Sequence, residues 1–384
     1  MRARLGALPC WPGLLLLGAA RAMDYETYRS LGLDTPFEQK DRTKYDSGMT
    51  NINGGPTREE MWAQQFSAMA WERLAYPPPA LASPRDQVPR GRIIEHLGWG
   101  ASRIYPGTTR NWWVWIPGQY DGTAPASLIV FNDGHPGASM SATAVLANMI
   151  ADGALDVTVA VFLSPGIRPG HPDCARSEDG TETGDDAQRS LEYDSVTEQY
   201  ARFLVDDILP AVEADARIAA APGRRAVAGC SSGAVAAFCA AWFRPDAFGL
   251  VASYSGSFVN IRGAHNLPWV IRNTPRKPLR VFLMSGENDL SNNHGSWPLA
   301  SQEMAAALKY AQYPHKFVFG SGAHGMIHGA SILPQTLLWL FKDGPADFGD
   351  ERRRHAAPLA LALLISIIVA ASWLAYRCLR RCRE

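Results

Sequence analysis

The chain predicts an α/β architecture, a mostly parallel sheet covered by helices on both faces. Two observations point there. Apolar runs of strand length alternate with helical stretches from about residue 128 to residue 341. Three short motifs, each just after one of those strand runs, set out a serine, an acid and a histidine in that chain order.

The elements follow in order. Residues 23–90 are irregular and polar and read as an N-terminal extension. One helix interrupts them: the capping box Thr57-Arg58-Glu59-Glu60 opens it over residues 61–74, and Tyr76-Pro77-Pro78-Pro79 stops it. Ile93-Ile94-Glu95-His96-Leu97 and Trp112-Trp113-Val114-Trp115-Ile116 read as strands of an antiparallel edge. The core then alternates: a strand near Leu128, a helix from about Ser141, a strand over 157–163 and a long helix over 196–213. Next come strand 225–229, the Ala-rich helix 232–243, strand 250–254 and a further helix. A strand near Val281, helix 299–310, a strand near Phe317 and helix 332–341 complete the domain, residues 91–342. Residues 166–194 form a long Gly- and acid-rich segment, a lid or a solvated insertion. Its carboxylates lack the spacing of a calcium loop, and no metal is assigned.

The first motif, Gly229-Cys230-Ser231-Ser232-Gly233, sits between a strand and a helix, as the nucleophile elbow of α/β-hydrolases does. A serine hydroxyl is a poor nucleophile until an imidazole takes its proton and a carboxylate fixes that imidazole's tautomer. Ser231 stands at the centre of the motif and is preferred to Ser232, whose backbone N–H is expected in the oxyanion hole. Gly286-Glu287-Asn288-Asp289 supplies the acid, Asp289 ahead of Glu287. Gly322-Ala323-His324-Gly325 supplies the base. His328 begins the next helical segment and suits a supporting or substrate-contacting role, and His315 reads as a surface residue. The turn Asn132-Asp133-Gly134-His135 offers the N–H of Gly134 or His135 as the second oxyanion donor.

The 384 residues carry no formal net charge, so no basic field points to nucleic acid. The two ends stand apart. Residues 1–22 read as a secretory signal: Arg2 and Arg4 precede an apolar stretch over 13–20, and Ala20-Arg21-Ala22 fits a small-x-small cleavage site. Residues 356–376 are uncharged and would span ~31 Å as a helix, enough for the hydrocarbon core. Trp373 and Tyr376 fall at the expected interfacial belt. This predicts a juxtamembrane linker over 343–355, one transmembrane helix, and a short basic tail over 377–384 containing Cys378 and Cys382. The signal then places the catalytic domain in the lumen or outside the cell, with the tail in the cytosol. Between signal and span only Cys174, Cys230 and Cys239 remain, too sparse for a disulfide framework.

Taken together, these motifs resemble the esterase family that includes enterochelin esterase, within the α/β-hydrolase superfamily, over roughly residues 90–342. The resemblance rests on the stretch from Ser102 to Arg110, the strand and turn from Leu128 to Gly134, and Arg189-Ser190-Leu191-Glu192-Tyr193-Asp194. It rests equally on the Ser231 elbow, the Gly286 to Leu290 turn, Trp297-Pro298-Leu299-Ala300, and His324 to Gly329. It implies a serine carboxylic-ester hydrolase that needs no cofactor and acts on a small-molecule or polymer-linked ester, with Ser231, Asp289 and His324 matching the triad. Arg189, Glu192, Tyr193, Trp297 and His328 are candidate substrate contacts, a helix-opening ion pair being the plainer account of the first three. Ala234 and Ala323 stand where relatives often carry glycine, and the extension and anchor lie outside the usual pattern, which argues against enterochelin itself as substrate. An acyltransferase using the same triad, and a non-catalytic recognition protein on a hydrolase scaffold, stay open as alternatives; an intact triad disfavours the second.

Overall fold

The structure, a computed structural model, describes residues 58–343 apart from 138, 173 and 177–181. The expected signal at 1–22 and the expected span at 356–376 both lie outside the described residues. Among the described residues no helix is long and apolar enough to cross a membrane.

Eight strands form the central sheet: β1 (Arg92–Trp99), β2 (Arg110–Ile116), β3 (Ser127–Asn132), β4 (Thr158–Leu163), β5 (Arg225–Cys230), β6 (Leu250–Tyr254), β7 (Arg280–Asn288) and β8 (His315–Ala323). Their spatial order is β1-β2-β4-β3-β5-β6-β7-β8. Only β2 runs against its neighbours; every pair from β4 to β8 is parallel. Parallel neighbours need crossover connections, and these supply the helices. In chain order the helices are α1 (Arg58–Ala75), α2 (Ala142–Ala151), α3 (Asp186–Tyr193), α4 (Gln199–Arg202), α5 (Leu209–Asp215), α6 (Ser232–Phe243), α7 (Leu267–Asn273), α8 (Trp297–Tyr310), α9 (Ile327–Ser331) and α10 (Leu333–Leu338).

Side chains alternate across each strand, so the sheet has a core on both faces. Trp112, Val114, Leu128, Val130, Val227 and Val281 pack with α6 and α8 on one side. Trp113, Trp115, Ile129, Phe131, Ala228 and Phe282 pack with α2 and α10 on the other. The helix expected over 196–213 is broken into α4, a wider π turn over Phe203–Ile208, and α5. Pro210 in the first turn of α5 has no N–H to donate, and the wide turn makes room for its ring. That turn also aims Asp207 at the loop after β1, where it accepts from the Ser102 hydroxyl (2.8 Å) and the Arg103 N–H (3.0 Å).

Part of the Gly- and acid-rich segment is tied down by one carboxylate. Asp185 caps α3 through the Gln188 N–H (3.0 Å) and takes both arms of Arg168 (2.6 and 2.9 Å). Burial works against its charge, yet these hydrogen bonds and the Arg168 guanidinium bring its pKa down to about 2. A carboxylate depressed in the folded state stabilises the fold at any pH above its ordinary value near 4 and loses that effect as pH falls toward 2. Acid denaturation of Asp185→Asn, followed by tryptophan fluorescence, should therefore lack part of the stability loss that the wild type shows across that window.

Candidate active site

The sharp turn between β5 and α6 puts Ser231 at φ 57° and ψ −126°, a conformation that side-chain-bearing residues avoid. Both of its backbone groups are held: its N–H donates to the Tyr254 carbonyl (3.0 Å), and its carbonyl accepts from Ser257 N–H (3.1 Å). A Cβ on Gly229 would overlap the Gly233 carbonyl, so only glycine lets strand and helix approach this closely. Asn132, at the end of β3, donates to that Gly233 carbonyl (2.8 Å) and is itself fixed by the Tyr200 hydroxyl (2.6 Å).

Ser231 Oγ lies 3.0 Å from His324 Nε2, and His324 Nδ1 lies 2.6 Å from Asp289 Oδ1. Asp289 is buried and also accepts from its neighbour's N–H at Leu290 (2.7 Å) and from the Ser285 hydroxyl (3.1 Å). With a carboxylate at Nδ1, the proton belongs on that nitrogen and Nε2 faces the serine as an acceptor. Glu287, the other acid of the motif, is exposed at the end of β7. The Ser232 hydroxyl turns instead toward the buried Asp194 carboxyl, which burial raises above the usual carboxylate range. Burial likewise pushes the Cys230 thiol up and the Cys239 thiol up to about 12, so both behave as small core residues. Among the described residues no cluster of histidine, cysteine and acid side chains could hold a metal ion.

Ser257, which the sequence reading does not single out, places a second hydroxyl at Ser231. Its Oγ is 3.0 Å from Ser231 Oγ and accepts from the Trp297 indole N–H (3.1 Å). The polarity follows: Trp297 donates to Ser257, Ser257 to Ser231, and Ser231 to His324. The only signal in the sequence was that Ser257 follows the strand next to the elbow strand. Trp297 is also edge-on to the His324 ring, at 5.8 Å between centroids. A groove of about 780 Å³, lined in part by Phe258, Val259, His294 and Leu299, flanks the segments that carry Ser257 and Trp297.

At the turn after β3, Asp133 has φ 54° and its carboxylate is gripped by both arms of Arg189 (2.8 and 2.8 Å). The His135 N–H donates to Ser139 Oγ (2.8 Å), which removes His135 from the oxyanion candidates and leaves Gly134. Four of the five candidate substrate contacts, Glu192, Tyr193, Trp297 and His328, are buried. Glu192 forms a fully buried bidentate pair with Arg110 (2.7 and 2.9 Å). Tyr193 is covered and donates to the Leu163 carbonyl (3.3 Å). Trp297 backs the serine–histidine contact from inside the protein. His328 is buried against the Tyr76 ring (4.0 Å between centroids), and burial lowers its pKa. Only Arg189 keeps appreciable exposure.

Residues 105–320, more than half of the chain, match the Esterase family, described as Putative esterase. The chain belongs to this esterase family. No curated protein matches this chain. Solved structures with the same fold include the enterobactin esterase of Shigella flexneri in the presence of 2,3-Di-hydroxy-N-benzoyl-glycine, with a TM-score of 0.52 and 22% identity over 69% of this chain and 62% of that one. The enterochelin esterase structure from the same organism gives a TM-score of 0.54 at 21% identity, over 69% and 62% of the two chains. The ferric enterobactin esterase of Salmonella typhimurium gives 0.52 at 21%, again over 69% and 62%. The chain thus spans about three-fifths of the length of those neighbours.

Removing Glu192 would strand the Arg110 charge in the core. Glu192→Ala should lower the stability of the fold by about 3–5 kcal/mol in denaturant titration. If Glu192 contacted substrate instead, the same substitution would raise KM and leave the unfolding midpoint in place.

Proposed function

We propose that the chain is a serine carboxylic-ester hydrolase in which Ser231 is the nucleophile, His324 the general base and acid, and Asp289 the residue that orients His324. The observation that carries this reading is the continuous contact Ser231–His324–Asp289, at 3.0 and 2.6 Å, on the strained turn of the elbow. As Ser231 Oγ attacks the ester carbonyl, its proton passes to His324 Nε2. The negative charge that develops on the carbonyl oxygen is met by the N–H groups of Ser232, at the start of α6, and Gly134. The imidazolium, its Nδ1–H held on Asp289, then protonates the departing alcohol and leaves an acyl-serine. Water, deprotonated by the same His324, attacks the acyl-serine and returns Ser231 to its starting state. No cofactor takes part. The substrate is a small-molecule or polymer-linked ester; the enterobactin esterases share the fold at 21–22% identity and do not carry their substrate across.

The same reading makes this a single-pass membrane protein, with a signal at 1–22, a helix at 356–376, the esterase domain lumenal or extracellular, and residues 377–384 cytosolic. Its support is the uncharged apolar run and its flanking arginines.

Two measurements test these statements. A fluorophosphonate probe should label the wild-type chain, and Ser231→Ala should abolish both labelling and ester turnover while the protein stays folded; a folded wild type that does not label would refute the esterase mechanism. Carbonate washing of membranes should leave the full chain in the pellet and release a chain ended at residue 350. A full chain that washes off would remove the anchor.

A further inference from the structure

Helix α1 precedes the stretch that matches the family, yet its side chains reach the backbone beside Asp289 and at His324. Gln65, Met69, Glu72 and Tyr76 recur at spacings of four, three and four, so they share one face. That face lies on the chain that leaves β7 and β8. The Gln65 amide, buried, donates from Nε2 to the Asn288 carbonyl (3.1 Å) and accepts at Oε1 from the His324 N–H (2.9 Å). The Asn288 carbonyl belongs to the peptide bond that leads into Asp289. One side chain therefore spans the backbone at both members of the acid–histidine pair.

The rest of the stripe extends the same contact. Glu72 Oε1 accepts from the His328 N–H (3.1 Å), and the Tyr76 hydroxyl oxygen accepts from the Ser321 N–H (2.9 Å). A Cβ on Gly322 would stand 2.9 Å from the Glu72 carboxylate and 3.2 Å from the His328 ring, so the absence of a side chain there lets the helix close on the loop. The parallel register of β7 and β8 slips between Gly320 and Ala323 and then resumes in a single pair, Ala323 beside Asn288. That pair is the last, so sheet pairing stops one residue short of both His324 and Asp289.

We propose that Gln65 is a positioning residue that clips the Asp289 and His324 loops together, so that an N-terminal helix outside the family match completes the esterase site. The proposal rests on the reading of Ser231, Asp289 and His324 as the reacting set. It accounts for a buried amide whose donor and acceptor are both spent on backbone next to those residues; a helix that merely covered apolar surface would need no polar side chain there.

The test uses the full chain with p-nitrophenyl butyrate and a fluorophosphonate probe. Gln65→Met keeps the length of the side chain and loses both hydrogen bonds; Gln65→Glu keeps the acceptor for His324. Gln65→Met should lower kcat and the labelling rate by about tenfold or more through loss of alignment. KM should stay within about twofold, and Gln65→Glu should recover part of the rate. The low-field proton resonance of His324 Nδ1–H, identified by its loss in His324→Ala, should shift or broaden in Gln65→Met. Labelling of Gln65→Met at the wild-type rate would overturn the clip, as would a rate loss that only tracks the unfolded fraction with no recovery in Gln65→Glu. A wild type that never labels would instead mark failure of the catalytic reading. In that case the His324 resonance still decides the clip: unchanged in Gln65→Met refutes it, altered supports it.

Discussion

The backbone at Ser231 is held where a serine does not rest by itself, and much of the surrounding structure serves to keep it there. Such a conformation costs on the order of 1–3 kcal/mol and persists only where neighbours over-determine it. Here they do. Tyr254 on β6 takes the serine's N–H, Ser257 beyond β6 holds its carbonyl, and Asn132 on β3 holds the Gly233 carbonyl in the first turn of α6. Those anchors come from the two strands that flank β5, so the elbow inherits its rigidity from the middle of the sheet. The strain points the hydroxyl outward, and His324 and Ser257 meet it there at 3.0 Å each.

The charged groups near the site divide by burial into two kinds of work. Arg110 and Glu192 neutralise one another out of contact with water, with Gln188 donating to the same carboxylate (2.8 Å). Removing either would leave an uncompensated charge, which makes the pair a matter of stability. Arg189 on α3 and Asp133 on the turn that carries Gly134 are both partly exposed. Their bidentate contact fixes the course of the chain at the turn from which the proposed oxyanion donor comes. Three residues apart on one short helix, Arg189 and Glu192 therefore take different partners, Asp133 at a partly exposed turn and Arg110 in the core, which explains why a motif containing both could be read either as pocket or as ion pair.

How much of this was legible depended on whether a residue's partner lay near in sequence. The strands announced themselves as apolar runs, and the elbow announced itself because its glycines, its strand and its helix are contiguous. The preference for Asp289 over Glu287 also rested on local spacing, and in the structure Asp289 is the acid that faces His324. Burial was the weak point. Glu192, Tyr193 and His328 look like functional polar residues in a one-dimensional string, and only packing reveals that they face inward. Ser257 and Gln65 were missed for the opposite reason. A serine in a small-residue loop and a glutamine on a polar helix carry no local pattern, and their partners are supplied by distant chain. The single long helix drawn over 196–213 overlooked what Pro210 does to the turn before it.

The bond from Gln65 to His324 joins residues 259 positions apart. During synthesis, α1 leaves the ribosome long before β7 and β8 do, and its polar face lacks its partners until those last two strands of the sheet are in place. Contacts of such separation form late, after the cost of closing the intervening chain has been met. The turn at Ser231 can assemble earlier, from strands that lie together in the middle of the sequence. An incomplete or prematurely ended chain would therefore display a well-formed serine elbow without its histidine loop, and so would be chemically silent while it matures.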